Sequence, residues 1–207
     1  MNAKSIAKKI WLLLSTVRLI PHIVFMQYHP SRECIELDIE RWFRCLNLGK
    51  KPDTACGTLY SFIKLMTYFP EYRSLFYFRL GWTSKILYPL CRPMHTPIIG
   101  IVDEGVGPGL FIQHGWGTSV SAKKIGRNCW ISQHVTIGFT NDTDKPTIGD
   151  NVTIYAGAKV LGNVKVGDNC VVGANAVVVR DVPENCTAFG VPAYIVRRNG
   201  VKVKEPL

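Results

Sequence analysis

Aliphatic residues recur every six positions, at Ile125, Ile131 and Ile137 and again at Ile148, Ile154, Val160, Val166, Val172 and Val178. Glycine follows five of these directly, and a small or β-branched residue comes four places after every one but Ile137, where the loop begins. Upstream of position 96 the apolar pattern turns helical and the composition aromatic and basic. These observations predict a mainly β chain: a left-handed parallel β-helix of hexapeptide repeats over 96–192, preceded by an α-helical region over 1–95 and followed by a tail over 193–207.

The first 32 residues are basic before they are acidic. Lys4, Lys8, Lys9, Arg18 and Arg32 all precede Glu33, the first acid. Ile6, Ile10, Leu13, Leu14 and Val17 recur at helical spacing, so 1–32 is expected to be a basic amphipathic segment. A bilayer-spanning helix needs about 20 apolar residues, and Arg18, Pro21 and His22 are expected to interrupt the run too early. No small-residue cleavage site follows the apolar core, which argues against a signal peptide. Two readings remain: peripheral contact with the inner membrane surface, or the plainer one of a helix packed on its own protein with solvated lysines.

Three further helical runs follow. Cys34, Ile35, Ile39, Trp42, Phe43 and Leu46 keep a helical period that Gly49 closes. Residues 59–68 form a second run, ended by Pro70, and 72–88 a third with Phe76, Leu80 and Leu87 on one face.

Composition supports this division. Hydrophobic residues make up 47% of the 207 and charged residues 19%, which excludes a disordered chain, a collagen and a coiled-coil rod. Residues 1–95 hold 14 Lys and Arg against 6 Asp and Glu, and 15 of the 22 aromatics; residues 96–207 hold 11 against 9. No groove-reading motif accompanies the charge, so nucleic acid is not an expected partner. Seven cysteines without a C-x-x-C pair fit reduced thiols in a cytoplasm rather than a disulfide framework or a zinc ribbon.

In the repeat, the large aliphatic and the small residue face inward, and Gly, Asn or Asp relaxes each corner. Three short strands make a triangular coil of eighteen residues, and 105–183 holds about four coils. Cys129 and Cys170 fall at small core positions. Two irregularities stand out. Ile137 to Ile148 is a step of eleven, so a polar loop, 139–146, must leave the prism. Ile112 to Ile125 is thirteen, one more than two repeats, which places a bulge at 115–118 just after His114.

The residues two places after successive aliphatics read His114, Gln133, Ala156 and Ala174, and a further eighteen-residue step carries the column to Pro192. Below His114 this corner column is built of small side chains. A thin extended ligand such as the pantetheine arm of coenzyme A could lie there against backbone amides, with Ala156, Gly157 and Ala174 lining it and Arg197 and Arg198 meeting its phosphates. A nucleophile elbow of the G-x-S-x-G type is absent and the repeat cysteines fall in the core, so no acyl-enzyme is expected.

The stretches G-L-F-I-Q-H-G at 109–115, V-T-I-G at 135–138, A-G-A-K-V-L-G-N-V at 156–164 and G-V-P-A at 190–193 resemble the serine acetyltransferase-like family of hexapeptide acyltransferases. The resemblance covers about half of the chain, and the helical half shares it loosely through 72–81. It implies homotrimers with active sites between subunits, acetyl-CoA as donor, a hydroxyl as acceptor and no metal. It also implies that His114 is the catalytic base. An ordinary imidazole titrates near about 6.5, so its neutral form can take a proton from an alcohol at neutral pH. Asp103 and Asp144 are candidates to orient it.

Departures bear on the acceptor. Serine acetyltransferases carry Asp before that histidine, where this chain has Gln113, and an R-H-P stretch in the loop, where it has Asp144, Lys145 and Pro146. The resemblance extends to relatives that acetylate sugars in capsule and exopolysaccharide pathways. A sugar is therefore the expected acceptor, with Gln113, Trp116, His134 and Lys145 as acceptor-binding residues. Serine O-acetylation in cysteine biosynthesis is the alternative, and a non-catalytic β-helix scaffold a further one. A zinc enzyme of the carbonic anhydrase type needs three histidines, and the repeat offers only His114 and His134.

Overall fold

A computed structural model describes residues 3–49, 54–94 and 98–207, in two compact units, Met1–His95 and Thr96–Leu207.

The first unit contains α1 (Ala3–Tyr28), α2 (Arg32–Cys45), α3 (Ala55–Tyr68), α4 (Pro70–Leu80) and a 3-10 helix, Gly81–Ile86. Thr54 caps α3, its side chain accepting from the Gly57 amide at 3.1 Å. Pro70 opens α4, where its missing N–H costs nothing. The expected single run over 72–88 is divided because Gly81 takes φ 58°, which ends α4 and starts the tighter helix. The core is aromatic: Trp42 meets Tyr72 edge-on at 5.3 Å, and Phe62 meets Phe76 at 5.1 Å. Asp38 is buried beside them and accepts from Arg79 Nε at 2.9 Å and Nη2 at 3.2 Å.

α1 corrects an expectation. Arg18, Pro21 and His22 do not interrupt it: the helix continues through Pro21, and by length and composition Ile10–Tyr28 is apolar enough to cross a membrane. The polar residues do not break the apolar outer face. His22 turns inward with Ser15, Leu19 and Met26, all buried, while Arg18 lies over the Trp11 ring, 6.0 Å from its centroid. Ile10, Leu13, Leu14, Val17, Ile20 and Val24 are left exposed. The helix does pack on its own unit through its inward side, and this outer apolar face is the part that the packing leaves uncovered. The basic positions Lys4, Lys8 and Lys9 lie in the helix, but their side chains fall outside the described residues.

The second unit is a β-solenoid of about five turns, where the hexapeptide period alone suggested four. Its strands are β1 (Ile99–Val102), β2 (Phe111–Ile112), β3 (Ser119–Ala122), β4 (Lys124–Ile125), β5 (Trp130–Ile131), β6 (Thr136–Gly138), β7 (Thr147–Ile148) and β8 (Thr153–Ile154). They continue as β9 (Lys159–Leu161), β10 (Lys165–Val166), β11 (Val171–Val172), β12 (Val177–Val178), β13 (Cys186–Phe189), β14 (Tyr194–Arg198) and β15 (Val201–Pro206). One face is β1-β3-β6-β9-β12, a second is β4-β7-β10, and the third runs β2-β5-β8-β11-β13. Pairing within these faces is parallel, so Ile112, Ile131, Ile154, Val172 and Ala188 stack in one buried row. From β4 to β12 each strand leaves one residue at least partly exposed and buries the next, which is why the six-residue grammar shows in the sequence. Cys129 and Cys170 are buried, as is Cys186.

Residues 193–207 are not a free tail. β14 pairs antiparallel with β13, and β15 with β14. The hairpin extends the third face past the last coil and gives β13 a partner that its open edge would otherwise lack.

Candidate active site

Strand register fixes the corner that carries His114. Phe111 pairs with Trp130, Trp130 with Thr153, Thr153 with Val171 and Val171 with Thr187. Two places after the buried row stand His114, Gln133, Ala156, Ala174 and Gly190. Pro192, expected from an eighteen-residue coil, is displaced from the column. The corner after Val178 is two residues short, so Val166 bridges to Val182 and Val172 pairs with Ala188, both sixteen residues on.

The thirteen-residue span also resolves differently from a single extra residue. Val120 pairs with Ile137, so Ile112 to Val120 is a step of eight, while Val120 to Ile125 is a step of five. Two residues are thus inserted at 113–117 and one is removed later. The insertion is accommodated by three left-handed residues, His114 (φ 64°), Gly115 (φ 55°) and Gly117 (φ 61°). Ordinary corners of this prism need one, commonly an asparagine such as Asn151, Asn169 or Asn175. The extra length carries His114 out to an exposed position beside Trp116, with ring centroids 6.2 Å apart. Gln113 is half-buried and accepts from Trp130 Nε1 at 3.3 Å. Trp130 itself stands edge-on to Phe111 at 4.8 Å.

His134 occupies the left-handed corner slot of the next coil (φ 57°), in register with Gly117. A Cβ at Gly117 would enter the space of His134 Nδ1. The ring is thus a floor beneath the inserted corner, and Lys159 Nζ donates to its carbonyl at 2.7 Å. Thr118 Oγ1 donates to the Ser132 carbonyl at 3.0 Å and ties the same two coils together.

Below this, Ala156 and Ala174 form the shelf. Neither amide donates to another backbone group among the described residues. Tyr155 and Phe189 stand exposed on its flank, and the Phe189 ring covers Gly173. Gly157 is left-handed (φ 76°), and the room a side chain would need there is filled by Asn175 Oδ1. Its glycine is accordingly explained by the coil beneath it. Beyond Gly190, Val179, Arg180, Pro192, Ala193, Tyr194 and Leu207 line a cavity of about 530 Å³, and Arg180 Nη1 donates to the Leu207 carbonyl at 3.0 Å.

The charged candidates divide. Arg197 is exposed, whereas Arg198 is engaged by Glu205 through Nη2 at 2.6 Å and Nε at 3.0 Å. Lys145 Nζ is held by Asp103 at 2.7 Å. Asp144 is absorbed in its own loop. It accepts from the amides of Thr140 at 2.7 Å and Asn141 at 3.0 Å and from the Thr140 hydroxyl. These donors, the hydroxyl first, hold its carboxyl below the usual range. Both acids considered for orienting His114 thus have other partners. Sequence reasoning missed Gly117, Trp130, Tyr155 and Phe189. The two aromatics flanking the shelf were legible only as outward strand residues.

The bacterial transferase hexapeptide family (six repeats) matches residues 145–180. Serine acetyltransferases are similar in sequence. That of Synechococcus elongatus is 45% identical over 106 residues, covering 49% of this chain and 43% of its own. That of Staphylococcus aureus is 47% identical over 102 residues, covering 47% and 48%. The chain thus spans about half the length of the curated relatives it matches. Among solved structures, Neisseria gonorrhoeae serine acetyltransferase is similar with a TM-score of 0.59 and 28% identity over 83% of this chain and 67% of that one. A serine acetyltransferase in complex with CoA gives 0.54 and 28% over 82% and 71%. The chain thus carries hexapeptide transferase repeats over 145–180, and its β-helix is similar to the serine acetyltransferases in sequence and in fold.

Proposed function

We propose that the chain is an acetyl-CoA-dependent O-acetyltransferase in which His114 acts as general base. The observation that carries this is the two-residue insertion that presents His114 at the head of a column of small corners. The His114 imidazole takes the proton of an acceptor hydroxyl as the oxygen attacks the thioester carbon. The carbonyl carbon becomes tetrahedral, and backbone amides at the corner are suited to hold its oxyanion, worth about 3–4 kcal/mol for a good donor. Collapse breaks the C–S bond, and the imidazolium returns its proton to the departing thiolate. Ala156 and Ala174 fit an extended pantetheine arm because they leave room and unpaired amides. Arg197, which is exposed, is the cation we assign to the phosphates. Arg198 is already neutralised by Glu205.

L-Serine is the acceptor that the relatives support, in place of the sugar expected from the sequence. The exposed Trp116 beside His114 is the observation that favours a sugar ring. The active unit is a homotrimer with sites between subunits. It works in a reducing cytoplasm, where seven free cysteines persist.

Thiol release from acetyl-CoA tests the reading, with L-serine, sugars and nucleotide sugars offered in parallel. Turnover with serine is expected, reduced by about 10²–10⁴ in His114→Ala. Turnover confined to a sugar overturns the serine acceptor. Absence of both turnover and coenzyme A binding overturns the enzyme and leaves the scaffold.

A further inference from the structure

The outward side of α1 is built the wrong way round for a helix facing water. Its buried side carries Ser15 and His22 beside Leu19 and Met26. Its exposed side carries Ile10, Leu13, Leu14, Val17, Ile20 and Val24, with Leu13 at 68% and Val17 at 66% of full exposure. Arg18, the one charge of the run 10–28, leans over the Trp11 indole at the margin of that side. From Ile10 to Tyr28 the strip is about 27 Å long at 1.5 Å per residue.

We propose that α1 lies flat on an anionic lipid surface, its outward side in the boundary between headgroups and acyl chains. Three observations choose this occupant. The helix is cationic at its start and no acid precedes Glu33, so the strip has the charge partner that acidic headgroups supply. A second copy packed in parallel would instead set the same cations against one another. Trp11 and Tyr28, exposed at 51% and 87%, are side chains suited to the headgroup level. The inward side is tied to its own unit: His22 Nε2 lies 2.8 Å from the Tyr77 hydroxyl, so the helix lies along the surface rather than through the bilayer. The placement does not depend on the acceptor, but it would hold the enzyme where lipid-linked hydroxyls are found.

Flotation of the full chain decides it, using phosphatidylcholine vesicles with and without about 30% phosphatidylglycerol. The protein is expected to float with the anionic vesicles and less well in high salt. The triple variant Leu13→Gln, Val17→Gln, Val24→Gln should bind at least about tenfold more weakly with helical circular dichroism unchanged. A second variant, Lys8→Glu with Lys9→Glu, leaves the apolar strip intact and should lose the preference for anionic vesicles. Equal flotation of wild type and both variants overturns the proposal. So does failure to float with either vesicle, and so does a wild-type oligomer that the triple variant dissociates, which would assign the strip to a second copy.

Discussion

Gly117 lies against the ring of His134 in the coil below, and the space of its missing Cβ is filled by His134 Nδ1. The pair couples the inserted corner to the regular prism. Gly117→Ala meets both this contact and a φ of 61°, so it is expected to cost about 1–3 kcal/mol. Adding His134→Gly removes the contact and should recover part of the loss, which chemical denaturation of the single and double variants will show. Strict additivity would mean that the two residues are not coupled.

Asp38 and Arg79 form a buried ion pair at 2.9 Å beneath the aromatic core. Asp38→Ala leaves a guanidinium in that interior without its carboxylate and should destabilise the helical unit by about 3–5 kcal/mol. A change below about 1 kcal/mol in urea unfolding, the range of an exposed pair, would contradict the burial.

His22 should make the helical unit acid-sensitive. The Tyr77 hydroxyl donates its one proton to the Cys91 carbonyl, so His22 Nε2 must be the donor to Tyr77, and Nδ1 is left buried without a partner. Burial first, and the Arg18 charge second, pull the His22 imidazole down to about 4. The unfolded chain then binds more protons than the folded one between about 6.5 and 4. Stability is full above the upper value and lost as pH falls through the window. His22→Gln should flatten that slope in denaturation measured from pH 7 to pH 4; an unchanged slope would place its origin elsewhere.

Lys145 is expected to contribute little to acceptor binding. Its ammonium is already held by Asp103 at 2.7 Å. Lys145→Met should leave KM for the acceptor within about threefold and move stability by less than about 1 kcal/mol. A large rise in KM without loss of kcat would show that the ion pair opens to receive the acceptor.

Legibility in the sequence followed distance. Corners and inward rows are set by residues at most a few positions apart, so Ile131, Ile154 and Val172 revealed the prism unaided. The loop 139–146 was equally plain, since a step of eleven leaves no alternative to an excursion. The His114 corner was harder. A gain of two residues and a loss of one cancel to one in the sequence, and only pairing of Val120 with Ile137 separates them. Likewise Pro192 was misplaced because the shortened corner before Val182 is invisible until strands are paired.

The sequence by itself determined the β-helix, the helical first half and the exceptional place of His114, because each rests on periodicity or on a break in it. Tertiary structure alone decided which charges already have partners. Lys145 with Asp103 and Arg79 with Asp38 lie about forty residues apart along the chain. It also decided which side of α1 faces outward, since the helical spacing of Ile10, Leu13, Leu14 and Val17 marks an apolar face without saying whether the protein will bury it.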